Sequence, residues 1–144
     1  MSDFTPNSKI MCEIRCMNPD SVKIATRKLS PSGFKWMPYT CQISGEKENL
    51  LLIGDDLASQ LTPSLAEVED ANGTKILAGL YSAELCECDV ATLTNLPEQE
   101  VISQLERFKS LGVVTHRIIH GMNYFRLNSK NARQIFSGLI SAAN

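Results

Sequence analysis

The spacing of apolar residues changes character twice along this 144-residue chain, and each change marks a shift in local structure. From Leu57 onward, Leu57, Leu61, Leu65 and Val68 recur at helical intervals, interrupted by Pro63, which is expected to end or kink that stretch. Ile76, Leu77 and Leu80 define the inward face of a second helix over about Ala71 to Ser82. A short helix over Asp89 to Thr94 follows, then the turn Asn95-Leu96-Pro97 and a longer helix from Pro97 to Leu111, closed by Gly112. Two short helices around a tight turn form a helix-turn-helix arrangement.

Past Gly112 the period drops from 3.6 to 2. Val113 to Ile118 and Met122 to Leu127 read as two strands joined through Ile119-His120-Gly121. A last helix opens near Asn128 and Ser129, with Ala132, Ile135, Phe136, Leu139 and Ile140 as an apolar stripe. So apolar a terminal helix in so small a protein is expected to sit in a dimer interface.

Before Leu57 the pattern is less regular. A polar arm carries Cys12 and Cys16, and Asn18-Pro19-Asp20 starts a helix running through Leu29. Residues 30 to 56 are punctuated by Pro31, Gly33, Pro38, Gly45 and Gly54, with strand-like runs at Tyr39 to Ile43 and Leu50 to Ile53. Either a hairpin or a long loop between helices accommodates that pattern. The expected organisation is an extension over 1–56 and a helical, DNA-binding and dimerisation unit over 57–144.

Composition narrows the class. A hydrophobic content of 43% suits one compact domain. The polar start and the short apolar runs, far below the roughly 20 residues needed to cross a bilayer, predict a cytoplasmic protein with no membrane association. Five cysteines are then expected as thiols, and their odd number argues against a disulfide framework. The net charge of -2 requires that any nucleic-acid contact come from a local patch.

The densest chemistry lies in Glu84-Leu85-Cys86-Glu87-Cys88-Asp89-Val90-Ala91. Thiolate is the metal-binding form of cysteine, and the unsatisfied amides of a helix N-terminus favour it. Two thiolates one residue apart can chelate an ion where the backbone turns, but they cannot complete a four-coordinate shell. Cys12 and Cys16 are the natural further donors, since their i, i+4 spacing puts both sulfurs on one face if the arm becomes helical. Four thiolates select soft ions, with cadmium or lead ahead, zinc possible, and arsenite needing only three. Cys41 lies in the unplaced middle segment and reads equally as a further ligand or as a buried bystander.

That string, followed by Leu111-Gly112-Val113-Val114 and by Asn123-Tyr124-Phe125-Arg126-Leu127, resembles the ArsR/SmtB family of metal-responsive winged-helix repressors. Thr74-Lys75-Ile76-Leu77-Ala78-Gly79-Leu80 is similar to the family's core helix, and Val101-Ile102-Ser103-Gln104-Leu105 to its recognition helix. The resemblance implies a mainly α, α+β winged helix-turn-helix with an N-terminal arm, dimeric. It further implies the cadmium- and lead-sensing branch, in which an arm's cysteine pair joins the other subunit's metal-box pair, so that Cys12, Cys16, Cys86 and Cys88 are the ligands. The family's second metal site, on the terminal helix, is not expected, because Ser129, Lys130 and Asn131 stand where its ligands would begin.

DNA contacts are expected from Gln99, Ser103, Gln104 and Arg107 on the outward face of the recognition helix, with Arg117, His120 and Arg126 on the wing. Val101, Leu105 and Phe108 should face the core. Glu98 and Glu100 oppose phosphate in the first turn, and Ile102 replaces a serine usual in the family. His116 and His120 on the hairpin read as solvent or phosphate contacts in preference to metal ligands. Asn72-Gly73-Thr74-Lys75 lacks the spacing of a phosphate loop, and no cysteine-histidine dyad is available, so no enzyme is expected.

The function this sequence suggests is a homodimeric repressor that holds operator DNA when metal-free and releases it on binding a soft metal ion. Two alternatives stand beside it. One is a thiol redox-sensing repressor on the same scaffold. The other is a winged-helix interaction module that has lost DNA binding.

Overall fold

The computed structural model describes residues 17–40, 47–119 and 121–143. Cys12, Cys16, Cys41 and His120 lie outside them. Among the described residues the chain is mixed α+β, with two small antiparallel sheets.

Helix α1 (Pro19–Arg27) begins where the sequence indicates, with Asn18 as its cap accepting from the Asp20 amide at 2.9 Å and Pro19 in the first turn. The middle segment is a hairpin. Strand β1 (Phe34–Thr40) pairs with β2 (Lys47–Ile53) in a register that sets Phe34 opposite Ile53 and Thr40 opposite Lys47. Pro38 fits because, among the described residues, β1 pairs with β2 alone, so the missing amide costs no ladder bond on the other edge. Leu50 to Ile53 form a continuous buried run, since β2 packs under α3 as well as beside β1. Gly54 follows at a close approach to the Pro31 carbonyl, where a Cβ would collide with backbone.

Helix α2 (Asp55–Leu61) ends before Pro63, in a short 3-10 turn over Thr62–Ser64. Leu65 is buried beyond that turn and Val68 is half-buried, so the helical spacing of the sequence spans more than one element. Helix α3 (Ala71–Gly79) is capped by Asp70, which accepts from the Gly73 amide at 2.9 Å. Strand β3 (Leu85–Cys86) leads directly into α4 (Glu87–Thr94), and Asn95 ends α4 in the left-handed region at φ 57°. Leu96 and Pro97 complete the turn into α5 (Glu98–Ser110), and Gly112, at φ 77°, turns the chain out of α5.

Strands β4 (Val114–Ile119) and β5 (Met122–Leu127) make the second hairpin, closed at Gly121 with φ 78°. The three-stranded sheet runs β3-β5-β4, with Leu85 opposite Phe125 and Cys86 opposite Tyr124. Helix α6 (Lys130–Ala142) opens on Ser129, whose hydroxyl accepts from the Ala132 amide at 3.1 Å. Asn131 ties it to the chain after α2, accepting from the Ala66 amide at 2.8 Å and donating to the Ser64 carbonyl at 3.2 Å.

Side chains from both sides of residue 56 share one core: Met17, Val22, Met37 and Leu50 to Ile53 pack in the same cluster as Ile76, Leu77, Val101, Leu105, Phe108, Phe125 and Phe136. A second, smaller cluster lies apart from it and contains Cys86, Met122 and Tyr124, with Cys88 and Ile119 against them. Alternation along β5 explains the separation, because Phe125 and Leu127 face the large core while Met122 and Tyr124 face the opposite side. No helix among the described residues is long and apolar enough to cross a membrane.

Candidate functional site

The Cys86-Glu87-Cys88 turn is where a strand becomes a helix. Cys86 ends β3 and is also the residue before the first turn of α4, buried at 2% exposure with its backbone extended. Cys88 sits one residue into α4, half-buried, and its Sγ donates to Oε2 of Glu98 at 3.4 Å. Neither is joined in a disulfide among the described residues. Between them, Glu87 is pushed above the ordinary carboxylate range, chiefly by burial and further by Glu106, Glu98 and Cys86, while Lys109 opposes the shift. Glu98 of α5 thus touches the Cys88 thiol, and Glu87 stands between the two cysteines in the chain.

Asp89 is the next residue and is buried at 1% exposure. Its Oδ1 accepts from the Met17 amide at 3.0 Å and its Oδ2 from the Tyr39 hydroxyl at 2.9 Å. A buried carboxylate is tolerated only with such donors, and here they come from the chain before α1 and from β1. Met17 follows Cys16 in the sequence. The incoming chain is therefore fastened to the first turn of α4 within the same molecule.

No three His, Cys, Asp or Glu groups converge closely enough to hold an ion among the described residues. The described members of the expected ligand set, Cys86 and Cys88, are close in sequence and share one apolar cluster, while Cys12, Cys16 and Cys41 lie outside the described residues. No protein-family model matches the chain, and no curated protein matches it.

The expected DNA-contact residues divide by environment. Gln99 and Ser103 are exposed on α5, and Val101, Leu105 and Phe108 are buried as their spacing indicates. Gln104 is turned to the start of α3, donating to Asp70 Oδ1 at 3.3 Å and to Glu100 Oε2 at 3.4 Å. Glu100 also accepts from Asn72 Nδ2 at 2.7 Å. Arg107 pairs with Glu69 at 3.4 Å and lies beside the Phe108 ring. Arg117 on β4 makes a two-pronged contact with Glu84, at 2.8 Å through Nε and 2.7 Å through Nη2. Arg126 is exposed on β5, and His116, also exposed, stacks on Phe125 at 5.8 Å.

Three participants carry no clear signal in the sequence. An acid in a first helical turn is ordinarily explained by the helix dipole, so Asp89 gives no hint of Met17 or Tyr39 as partners. Glu84 precedes a strand of two residues, and nothing local pairs it with Arg117. Met122 reads as an ordinary strand residue until the sheet order places it beside the cysteines.

Proposed function

We propose that this chain is a winged-helix regulator that binds DNA as a homodimer and is switched by soft-metal capture at Cys86 and Cys88. The connectivity α3-β3-α4-α5-β4-β5, with β3 pairing onto the returning strand β5, carries this reading. On this reading α4 and α5 are the helix-turn-helix, α5 is the recognition helix and the β4-β5 hairpin is the wing. Gln99 and Ser103 face solvent on α5 and suit base edges, and Arg126 is exposed on the wing for phosphate.

The thiol turn lies at the junction of wing and helix pair, since Cys86 is in the strand bonded to β5 and Cys88 is bonded to the first residue of α5. An ion drawn onto these sulfurs displaces the Cys88 proton from Glu98 and bears on both DNA-facing elements at once. The Met17 to Asp89 bond fastens the chain that follows Cys16 to the same turn, and on this reading Cys12 and Cys16 complete the shell. Metal-linked release then follows by linkage, with a coupling of roughly 1 to 3 kcal/mol, or five- to 150-fold in affinity. Helix α6, with Ile135, Leu139 and Ile140 only half-buried, supplies the dimer face.

A mobility-shift titration against the DNA upstream of the protein's own coding sequence, with and without cadmium, tests the reading. Salt-dependent binding that metal relieves, and that Cys88→Ser makes metal-insensitive, supports it. Metal-driven release that persists in Cys88→Ser removes the thiol switch.

A second reading has its own support. Arg107 and Arg117, the strongest candidate phosphate contacts, are each held by a carboxylate, and the chain carries a net charge of -2. A winged-helix module that binds protein in place of DNA fits those facts. Absence of salt-dependent DNA binding under all metal conditions selects it.

A further inference from the structure

The smaller apolar cluster brings together three sulfur-bearing residues from three elements. Cys86 ends β3 and Cys88 opens α4, while Met122 comes from β5, and all three pack in one group with Tyr124 and Ile119. The register explains how they meet. Cys86 lies directly opposite Tyr124 in the antiparallel pair, and Met122, two residues away on β5, projects from the same face at the diagonal position, within reach of a long side chain. Met122 is buried at 4% exposure, and its placement owes nothing to the large core on the other side of the sheet.

Two thiols and a thioether form a donor set with a definite preference. Thiolate and thioether sulfur select soft ions, and thioether in particular suits copper(I), whereas divalent zinc and cadmium favour thiolate, imidazole or carboxylate. Charge does not make this choice, since two thiolates leave -1 around a monovalent ion and zero around a divalent one; the preference for copper(I) rests on the thioether.

We infer that Cys86, Cys88 and Met122 form a three-sulfur site for copper(I), with Met122 as the donor that the wing strand contributes. This rests on the thiol-switch reading of Cys86 and Cys88, and for copper(I) it puts Met122 in the place of the arm cysteines. Binding replaces two S–H protons, which pass to solvent, with two sulfur–copper bonds and adds the Met122 thioether. The oxidation state of the metal does not change, so copper must arrive as copper(I). The geometry also ties the ion to the wing directly, since Met122 stands at the start of β5, opposite Ile119.

The test is an anaerobic competition of the full-length protein against a colourless copper(I) chelator, followed by sulfur-to-copper charge-transfer absorption, for the wild type, Met122→Leu and Cys88→Ser. Leucine keeps the volume and apolarity of the site and removes only the sulfur. Loss of a supporting partner around a metal typically costs 10–100-fold in affinity, so loss of a donor is expected to weaken copper(I) binding by at least about tenfold. Cadmium affinity and the melting temperature of the metal-free Met122→Leu protein are expected to stay at wild-type values. X-ray absorption on the copper-loaded proteins reads the same claim directly, as three sulfur neighbours falling to two.

Equal copper(I) affinity and equal sulfur count in wild type and Met122→Leu overturn the inference while leaving a cysteine-based switch standing. No charge-transfer band with copper(I) or cadmium in the wild type removes the thiol-switch reading as well.

Discussion

The Sγ of Cys88, in the first turn of α4, donates to Oε2 of Glu98, the first residue of α5, across 3.4 Å. This bond spans the turn between the two helices and places a carboxylate of the proposed recognition helix on a proposed metal ligand. Substituting Glu98→Ala is expected to keep metal binding, read as sulfur-to-metal absorption, and to reduce the difference in DNA affinity between metal-free and metal-loaded protein. Glu98→Gln, whose amide oxygen still accepts, is expected to restore part of that difference. If Glu98→Ala retains the full metal response, the bond plays no part in coupling.

Asp89 joins three stretches of chain, and its removal should be felt globally. Charged hydrogen bonds contribute about 1.5–3 kcal/mol, and a buried donor left without a partner adds its desolvation cost. Asp89→Ala is expected to lower stability by about 2–4 kcal/mol, measured by urea denaturation. Tyr39→Phe, which removes one donor to Asp89 from a half-buried position, is expected to cost less, about 1 kcal/mol. A smaller loss in Asp89→Ala than in Tyr39→Phe would mean that the carboxylate does not organise these contacts.

Glu87 gives the metal-free protein a pH dependence of definite sign. Burial first, then Glu106, Glu98 and Cys86, hold its carboxyl above the ordinary value of 4.5. Over the window from that value up to its raised value in the fold, the folded state binds more protons than the unfolded chain, so this contribution to stability falls as pH rises. Glu87→Gln is expected to flatten the stability profile across that window and to raise the melting temperature at neutral pH, measured with a chelator present. A profile steeper than wild type would contradict the assignment.

In the proposed regulator, the Arg117 to Glu84 contact limits how much positive charge the β4-β5 hairpin can offer DNA. With Arg117 exposed and Glu84 half-buried, the pair contributes about 1 kcal/mol to folding, so it can be broken with little cost. Glu84→Gln is expected to leave the fold intact, to strengthen DNA binding and to steepen its logarithmic salt dependence by about 1, as one further phosphate contact becomes available. An unchanged slope would place Arg117 away from the phosphates.

Helix α6 presents Ile135, Leu139 and Ile140 half-buried beside the fully buried Phe136. Leu139→Arg is expected to shift the protein from dimer to monomer in analytical ultracentrifugation while leaving helical content unchanged. A wild-type monomer at micromolar concentration would remove the dimer from the proposal.

Much of the architecture follows from local pattern. The helical spacing of Val101, Leu105 and Phe108, the proline and left-handed asparagine around Leu96, and the switch to alternation after Gly112 each depend on neighbours within a turn or two, and side-chain period and backbone dihedral are local properties. The same logic marks Cys86 and Cys88 as a pair and Asn18 and Ser129 as caps. Where the pattern is interrupted, as at Pro63 or across residues 30 to 56, local signals leave a choice, and packing of Leu50 to Ile53 under α3 selects the hairpin.

What tertiary structure alone decided are the pairings of residues far apart in sequence: Asp89 with Met17 and Tyr39, Arg117 with Glu84, and Met122 with the cysteines. Sequence states which donors, acceptors and sulfurs exist. Which of them meet depends on sheet order and on which face of β5 turns from the large core. Those are set by the sum of many weak burial terms over the whole chain, and no window of residues contains that sum.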